Sequence, residues 1–202
     1  MPRSSYHGSR LREGEPERAF FSGDRLLTVR VVTKGGHVPR VVFGLGANIG
    51  EPLVELRRAV TALRSELDQK GAVSSLFRTA PIGPAQPDFL NAALLVHTDK
   101  DPLEILALVH RLEAAAGRVR EVRYGPRPLD IDLLWADFTF DHPRLVVPHP
   151  ELLRRAFAWV PLLELVPELR ETSSPLSFHG QRIECVAGPG WDRADPARKF
   201  PS

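Results

Sequence analysis

The chain has 202 residues, of which 43% are hydrophobic and 26% charged, with a formal net charge of +2. Such a composition is that of an ordinary globular protein with enough apolar residues for a core, and so small a net charge gives no global attraction to nucleic acid or to a membrane. The single cysteine, Cys185, excludes an internal disulfide framework and a CxxC zinc site and fits a reducing, cytoplasmic setting, while no apolar run approaches the ~20 residues of a bilayer span.

In chain order, residues 1–22 are rich in Arg, Ser, Gly and Glu and lack periodicity, so residues 1–38 read as a partly disordered N-terminal extension. A short strand is expected over Leu26–Val32. From residue 39 to about 170 the signals are dense enough for one folded domain. Val41 to Leu45 reads as a buried strand that runs into a Gly-rich turn, Gly44 to Gly50. Pro52 suits a first helical position, and Leu53, Leu56, Val60, Leu63 and Leu67 follow at steps of three and four, which predicts an amphipathic helix. Residues 72–79 and 89–98 read as two strands joined by the Pro-rich loop Ala80–Asp88. Asp101-Pro102-Leu103-Glu104 combines an N-cap, a proline at N1 and a glutamate at N3, and Gly117 suits the stop of the helix it opens. A fourth strand is expected over Leu129–Trp135, helical segments around Pro150–Ala158 and Val160–Leu165, and a mostly irregular tail over 171–202. The class is α+β, and the order predicts a ferredoxin-like βαββαβ core, an antiparallel sheet flanked by helices.

The stretch Arg118 to Trp135 carries the most chemistry. Alternation on a strand puts Asp130, Asp132 and Leu134 on one face and Leu129, Ile131, Leu133 and Trp135 on the other, the apolar set facing the core. Carboxylates two residues apart lie roughly 7 Å apart along the strand, close enough to converge on adjacent hard cations such as Mg²⁺. A bare DxD is more often a solvated strand face. Here Arg118, Arg120, Arg123 and Arg127 precede it in a Gly/Pro-bounded loop, and guanidinium forks match phosphate oxygens. Together they describe a polyphosphate–Mg²⁺ site. The opening Gly44-Leu45-Gly46 has its third glycine one place too late for a dinucleotide fingerprint; as a turn it would bring backbone N–H groups to a ligand. Phe89 and Asn91 share a strand face, where a ring and an amide can stack on and pair with a flat heterocycle. His149, between Pro148 and Pro150, sits in a stiff turn from which it could donate to a phosphate.

These segments resemble the 6-hydroxymethyl-7,8-dihydropterin pyrophosphokinases, in order and spacing, over residues 40–170. The resemblance runs through Gly44 to Asn48, Arg78 to Pro84, Gln86 to Asn91, Glu113, Gly117 to Arg120, Tyr124 to Asp132, Val147 to Pro150, Arg155 and Phe157. It implies that Asp130 and Asp132 hold two Mg²⁺ ions bridging the phosphates of ATP, and that Arg118 and Arg127 stabilise the migrating pyrophosphoryl group. It places Glu113, Arg120, Ile131, His149 and Arg155 on the nucleotide side, and Thr79, Ala80, Ile82, Phe89, Asn91, Tyr124 and Phe157 around the pterin. It implies a cytoplasmic transferase of folate biosynthesis, a monomer whose partners are ATP and the pterin alcohol, with no nucleic acid and no membrane. Three positions depart from the usual pattern: Ala47 stands for a serine, Phe89 for a tyrosine and Tyr124 for a tryptophan. The role of Arg123 is left open. An RNA-recognition module of similar plan would need exposed aromatics on its central strands, which are sparse here.

Overall fold

In the computed structural model, which describes residues 18–22, 25–29, 37–118, 125–173 and 178–193, the apolar run after Pro39 forms the strand on which the rest is built. The elements in chain order are β1 (Arg18–Ser22), β2 (Arg25–Val29), β3 (Arg40–Ala47), α1 (Pro52–Glu66), β4 (Ala72–Val73), β5 (Leu76–Thr79), β6 (Phe89–His97) and α2 (Pro102–Ala115). They continue with β7 (Asp130–Ala136), β8 (Phe140–His142), β9 (Leu145–Val147), a 3₁₀ turn (Leu152–Arg154), α3 (Ala156–Leu165), α4 (Leu169–Thr172) and β10 (Ile183–Ala187). The main sheet has the order β10-β5-β6-β3-β7, with β4 also paired to β6, and every pairing is antiparallel. The protein is therefore α+β, an antiparallel sheet flanked by helices. No described helix is long and apolar enough to cross a membrane.

Both helices that face the first side of the sheet form for the reasons legible in the sequence. In α1, Pro52 opens the helix and Leu56, Ala59, Val60 and Leu63 are buried at helical spacing. In α2 the capping box is complete: the Asp101 carboxylate accepts from the N–H groups of Leu103 (2.7 Å) and Glu104 (3.4 Å), and Glu104 accepts in return from the Asp101 N–H (3.4 Å). Such a cap contributes about 1 kcal/mol and fixes where the helix starts. Gly117 follows at φ +80°, where a Cβ would be strained. Leu56, Val60 and Leu63 from α1 and Ile105, Leu108 and Val109 from α2 pack with Phe43, Leu45, Leu94 and Ile131 into the larger core. On the second side, Ala158, Trp159 and Leu162 of α3 cover Val42, Ala93, Leu95 and Leu134. Pro161 lies inside α3. Its missing N–H removes one helical bond, and burial of its apolar neighbours offsets the loss, so the two helical segments expected here are a 3₁₀ turn and one longer helix.

Several expectations are corrected. The glycines 44 and 46 lie within β3 rather than in a turn, and both are paired in the ladders with β6 and β7. Strand β7 does not alternate to its end. Val42 pairs with Trp135 and Phe43 with Leu133, so Leu134 is an extra, bulged residue. Beyond the bulge the faces exchange, and Trp135 packs with the α3 cluster instead of with Ile131 and Leu133. Within the mostly irregular tail, β10 adds to the sheet edge along β5. Trp191 of the tail is buried, with the indole N–H donating to the Ser74 carbonyl (2.9 Å). The hairpin of β8 and β9 was not anticipated. Within the extension, β1 and β2 pair with each other in antiparallel register.

Candidate active site

Helix α3 covers only part of the second sheet face. Beyond its N-terminus, the strand ends that carry Gly44, Gly46, Asn91, Thr79, Asp130 and Asp132 border a cavity of about 300 Å³. Register explains the opening. Gly44 pairs with Asp132 and Gly46 with Asp130, so across from each carboxylate-bearing residue stands one without a side chain. A Cβ on Gly46 would lie 2.9 Å from Asn91 Oδ1, and one on Gly44 would lie 3.0 Å from the Leu134 side chain. The glycines act here by leaving space, since their ladder positions occupy the backbone groups that a ligand-binding turn would present.

On one side of this cavity the carboxylates and guanidinium groups meet. Asp130 Oδ1 is 2.6 Å from Arg118 Nη1, and Asp130 Oδ2 is 2.5 Å from Arg127 Nη1. Arg118 also pairs with the buried Glu113, whose Oε1 accepts from the Ile131 N–H (3.0 Å). Glu113 thereby ties the last turn of α2 to the strand bearing both aspartates. Burial, and next the charge of Asp130, push Asp132 up to about 6 against the opposing pull of Arg155 and Arg118. Asp132 therefore has less compensating positive charge beside it than Asp130, which lies between two guanidinium groups. On the far side of Asp132, His149 is fixed by its own N–H to the Leu134 carbonyl (2.8 Å), and its Nδ1 accepts from the Glu151 N–H (3.1 Å). The proton of the neutral ring thus sits on Nε2. Burial and the neighbouring Arg155 hold the ring's pKa down, so it stays neutral near pH 7 and can donate.

Another part of the lining is mostly apolar. Phe89, Ile82, Ala80 and Phe157 line it, with Thr79 and Asn91 buried at its base and Asn91 Nδ2 donating to Thr79 Oγ1 (2.7 Å). The Arg155 guanidinium lies over the Phe157 ring, 5.8 Å from its centroid, and within 4.0 Å of Glu151. Thus Thr79, Ala80, Ile82, Phe89, Asn91 and Phe157 share one cavity with Arg118, Arg127, Asp130, Asp132, His149 and Arg155. Glu113 and Ile131 border a second cavity, also about 300 Å³, between α2 and the β8–β9 hairpin, which shares Asp132 and His149 with the first. The Ile131 side chain itself is in the core. Arg120, Arg123 and Tyr124 lie outside the described residues.

Sequence reasoning did not single out the residues that hold these groups in place. Asn48 is buried; its N–H and Oδ1 bond the Arg127 carbonyl (3.0 Å) and N–H (2.7 Å), while its Nδ2 donates to Gln86 Oε1 (2.9 Å) and the Pro87 carbonyl (3.0 Å). It was visible only as part of a motif. Glu151 and Arg154 line the cavity as well.

The sequence model of the 7,8-dihydro-6-hydroxymethylpterin-pyrophosphokinase family matches residues 42–167, a span that holds the lining of both cavities and every strand of the main sheet except β10 and the first residues of β3. The chain belongs to that family. It is 41% identical over 136 residues to the 2-amino-4-hydroxy-6-hydroxymethyldihydropteridine pyrophosphokinase of Pseudomonas aeruginosa, covering 66% of this chain and 84% of the relative. The Synechocystis protein of the same name is 37% identical over 151 residues, 72% of this chain and 77% of the relative. A mitochondrial folate synthesis bifunctional protein from Pisum sativum is 36% identical over 141 residues, 69% of this chain and 27% of that longer protein. Gly46→Ala tests the part of the lining around Asn91: the added methyl crowds its amide, and the Michaelis constant for the pterin alcohol should rise about tenfold while nucleotide affinity holds. Steady-state kinetics against each substrate would check this.

Proposed function

We propose that this protein transfers the terminal diphosphate of ATP to the hydroxymethyl group of 6-hydroxymethyl-7,8-dihydropterin, releasing AMP, as a transferase of folate biosynthesis. The observation that carries the reading is Asp130, held between Arg118 and Arg127, beside Asp132 on a cavity whose lining also includes Phe89, Asn91 and Thr79. The pterin would lie against Phe89 and Phe157 with its donor–acceptor edge toward Asn91. The adenosine part of ATP would occupy the second cavity, which Asp132 and His149 join to the first. The alcohol oxygen attacks the β-phosphorus, the bond from that phosphorus to the α-phosphate oxygen breaks, its electron pair leaves with AMP, and the hydroxyl proton is lost.

In such a transfer the protein works by alignment and charge. Arg118 and Arg127 stabilise the charge that spreads over the moving diphosphate, and His149 Nε2 and Arg155 hold the nucleotide side. Asp130 and Asp132 are the residues that would hold Mg²⁺, two ions in our reading. Hard carboxylate oxygens suit that metal, phosphate and water would complete its shell, and the raised pKa of Asp132 marks a charge deficit that a divalent cation relieves. Bound there, Mg²⁺ would supply charge neutralisation for the triphosphate.

Binding a cation requires ionised Asp132. Its folded pKa lies above the usual carboxylate value, so protons compete with metal below about 6 and cease to compete above it. Mn²⁺ affinity of the ligand-free protein, followed by electron paramagnetic resonance, should therefore rise by up to about tenfold per pH unit below that point and level off above it. A pH-independent affinity would contradict the assignment.

The strand order β5-β6-β3-β7 with α1 and α2 on one face supports a ferredoxin-like plan. We place the catalytic unit over residues 39–170, with 1–38 as an extension. The exposed, unpaired thiol of Cys185 suits a reducing cytoplasm, and we take the working unit to be a monomer acting on two small molecules. The test of function is AMP release from ATP and Mg²⁺ with and without the pterin alcohol. Pterin-dependent AMP, formed one for one with the diphosphate ester, is expected; ADP, or AMP indifferent to the pterin, would reject the reading.

A further inference from the structure

Helix α3 begins at Ala156 with Arg155 in the N-cap position, and no side chain of its own segment caps it. Arginine is a poor cap, because it has no acceptor to offer the free N–H groups of the first turn. The acceptor comes from the C-terminal tail. Gln181 Oε1 accepts from the Ala156 N–H (2.8 Å), and Gln181 Nε2 donates to the Arg154 carbonyl (2.8 Å). One amide thus grips the backbone on both sides of Arg155. Arg155 is the residue whose charge is felt at Asp132 and His149 and whose guanidinium lies over Phe157.

Gln181 is itself anchored. Its N–H donates to the Phe178 carbonyl (3.0 Å) in a tight turn with Gly180 at φ +77°, and Phe178 packs against the α3 cluster. The next residue reaches the other wall: the Arg182 carbonyl accepts from the Ala80 N–H (3.3 Å), and its guanidinium pairs with Asp88 (2.5 Å) on the Pro-rich loop. From there β10 runs along β5, with Ile183 opposite Thr79. The turn 178–182 therefore spans from the wall that carries Arg155 and Phe157 to the wall that carries Thr79 and Ala80.

We infer that Gln181 is a positioning residue of the pyrophosphokinase reaction, setting the backbone on either side of Arg155 so that its guanidinium is held toward the nucleotide. The inference rests on the function proposed above. Gln181 is only partly buried and water can replace its bonds, so its loss should appear in ligand placement more than in folding.

The test uses full-length protein carrying Gln181→Met, which keeps the side-chain volume and removes both hydrogen bonds. Gln181→Glu keeps the acceptor for the Ala156 N–H and loses the donor. Wild-type pterin-dependent AMP release is measured first; its failure would reject the function itself and is separate from any effect of the two variants. With an active wild type, Gln181→Met should raise the Michaelis constant for ATP about tenfold, leave that for the pterin within about twofold, and be partly rescued by Gln181→Glu. The decisive readout is calorimetric affinity for an ATP analogue with a methylene between the α- and β-phosphorus, in the presence of Mg²⁺. Gln181→Met should weaken it about tenfold in the native background and not at all in an Arg155→Ala background. An unchanged affinity in the single variant, or the same loss in both backgrounds, overturns the inference.

Discussion

Asp132→Asn is expected to remove turnover while leaving the ligand-free protein at least as stable as the wild type near neutral pH. Catalysis should fall by about a thousandfold or more, because an amide oxygen carries no charge for Mg²⁺ and the triphosphate then meets the arginines without its counter-ions. The stability effect has the opposite sign. Burial and Asp130 raise the folded pKa of Asp132 from 3.8 to about 6, so the folded state holds a proton that the unfolded chain gives up earlier. Its native-state advantage is fully present below the ordinary carboxylate pKa and is lost as pH rises through about 6. The gap between those pKa values corresponds to at most about 3 kcal/mol of charge burial above that range, and the amide avoids it. Thermal unfolding of both proteins at several pH values, beside AMP release, would measure the two effects together. A variant with normal turnover, or one markedly less stable than wild type at neutral pH, would contradict the assignment.

Arg127→Ala is the second large effect, expected at about a thousandfold in kcat with less than about tenfold in nucleotide affinity. The fold should tolerate it. The bonds that fix this position run through its backbone to Asn48, and the guanidinium is partly exposed, in contact with Asp130. What the truncation removes is a fixed positive charge beside the moving diphosphate, needed most when charge spreads in the transition state. Equal losses in turnover and in affinity for the methylene analogue would mean that Arg127 merely binds ATP.

Local signals carried much of this architecture. Helical spacing and the capping box mark α1 and α2 almost to the residue, because those features act within one helical turn. The carboxylate face of β7 was legible for the same reason, since Asp130 and Asp132 precede the bulge. What escaped depended on partners distant in the chain. The bulge at Leu134 arises from pairing with β3 and reverses the side on which Trp135 packs. Strand β10 has a weak pattern, Ile-Glu-Cys-Val-Ala, and is held by β5 rather than by its own propensity. The glycines of β3 looked like a turn because their use, leaving room opposite Asp130 and Asp132 and beside Asn91, exists only in the folded sheet. The braces of the site were the least visible. Asn48 binds groups 38 to 79 residues away, and Gln181 reaches back 25 to 27 residues, so neither announces itself by spacing.

Counting Mn²⁺ bound per chain, by electron paramagnetic resonance in the presence of the α,β-methylene ATP analogue, compares wild type with Asp132→Asn directly. Two ions on the wild type and loss of that binding in the variant are the predicted result. The same number of ions bound with the same affinity by both proteins would show that these aspartates do not assemble the metal–triphosphate complex.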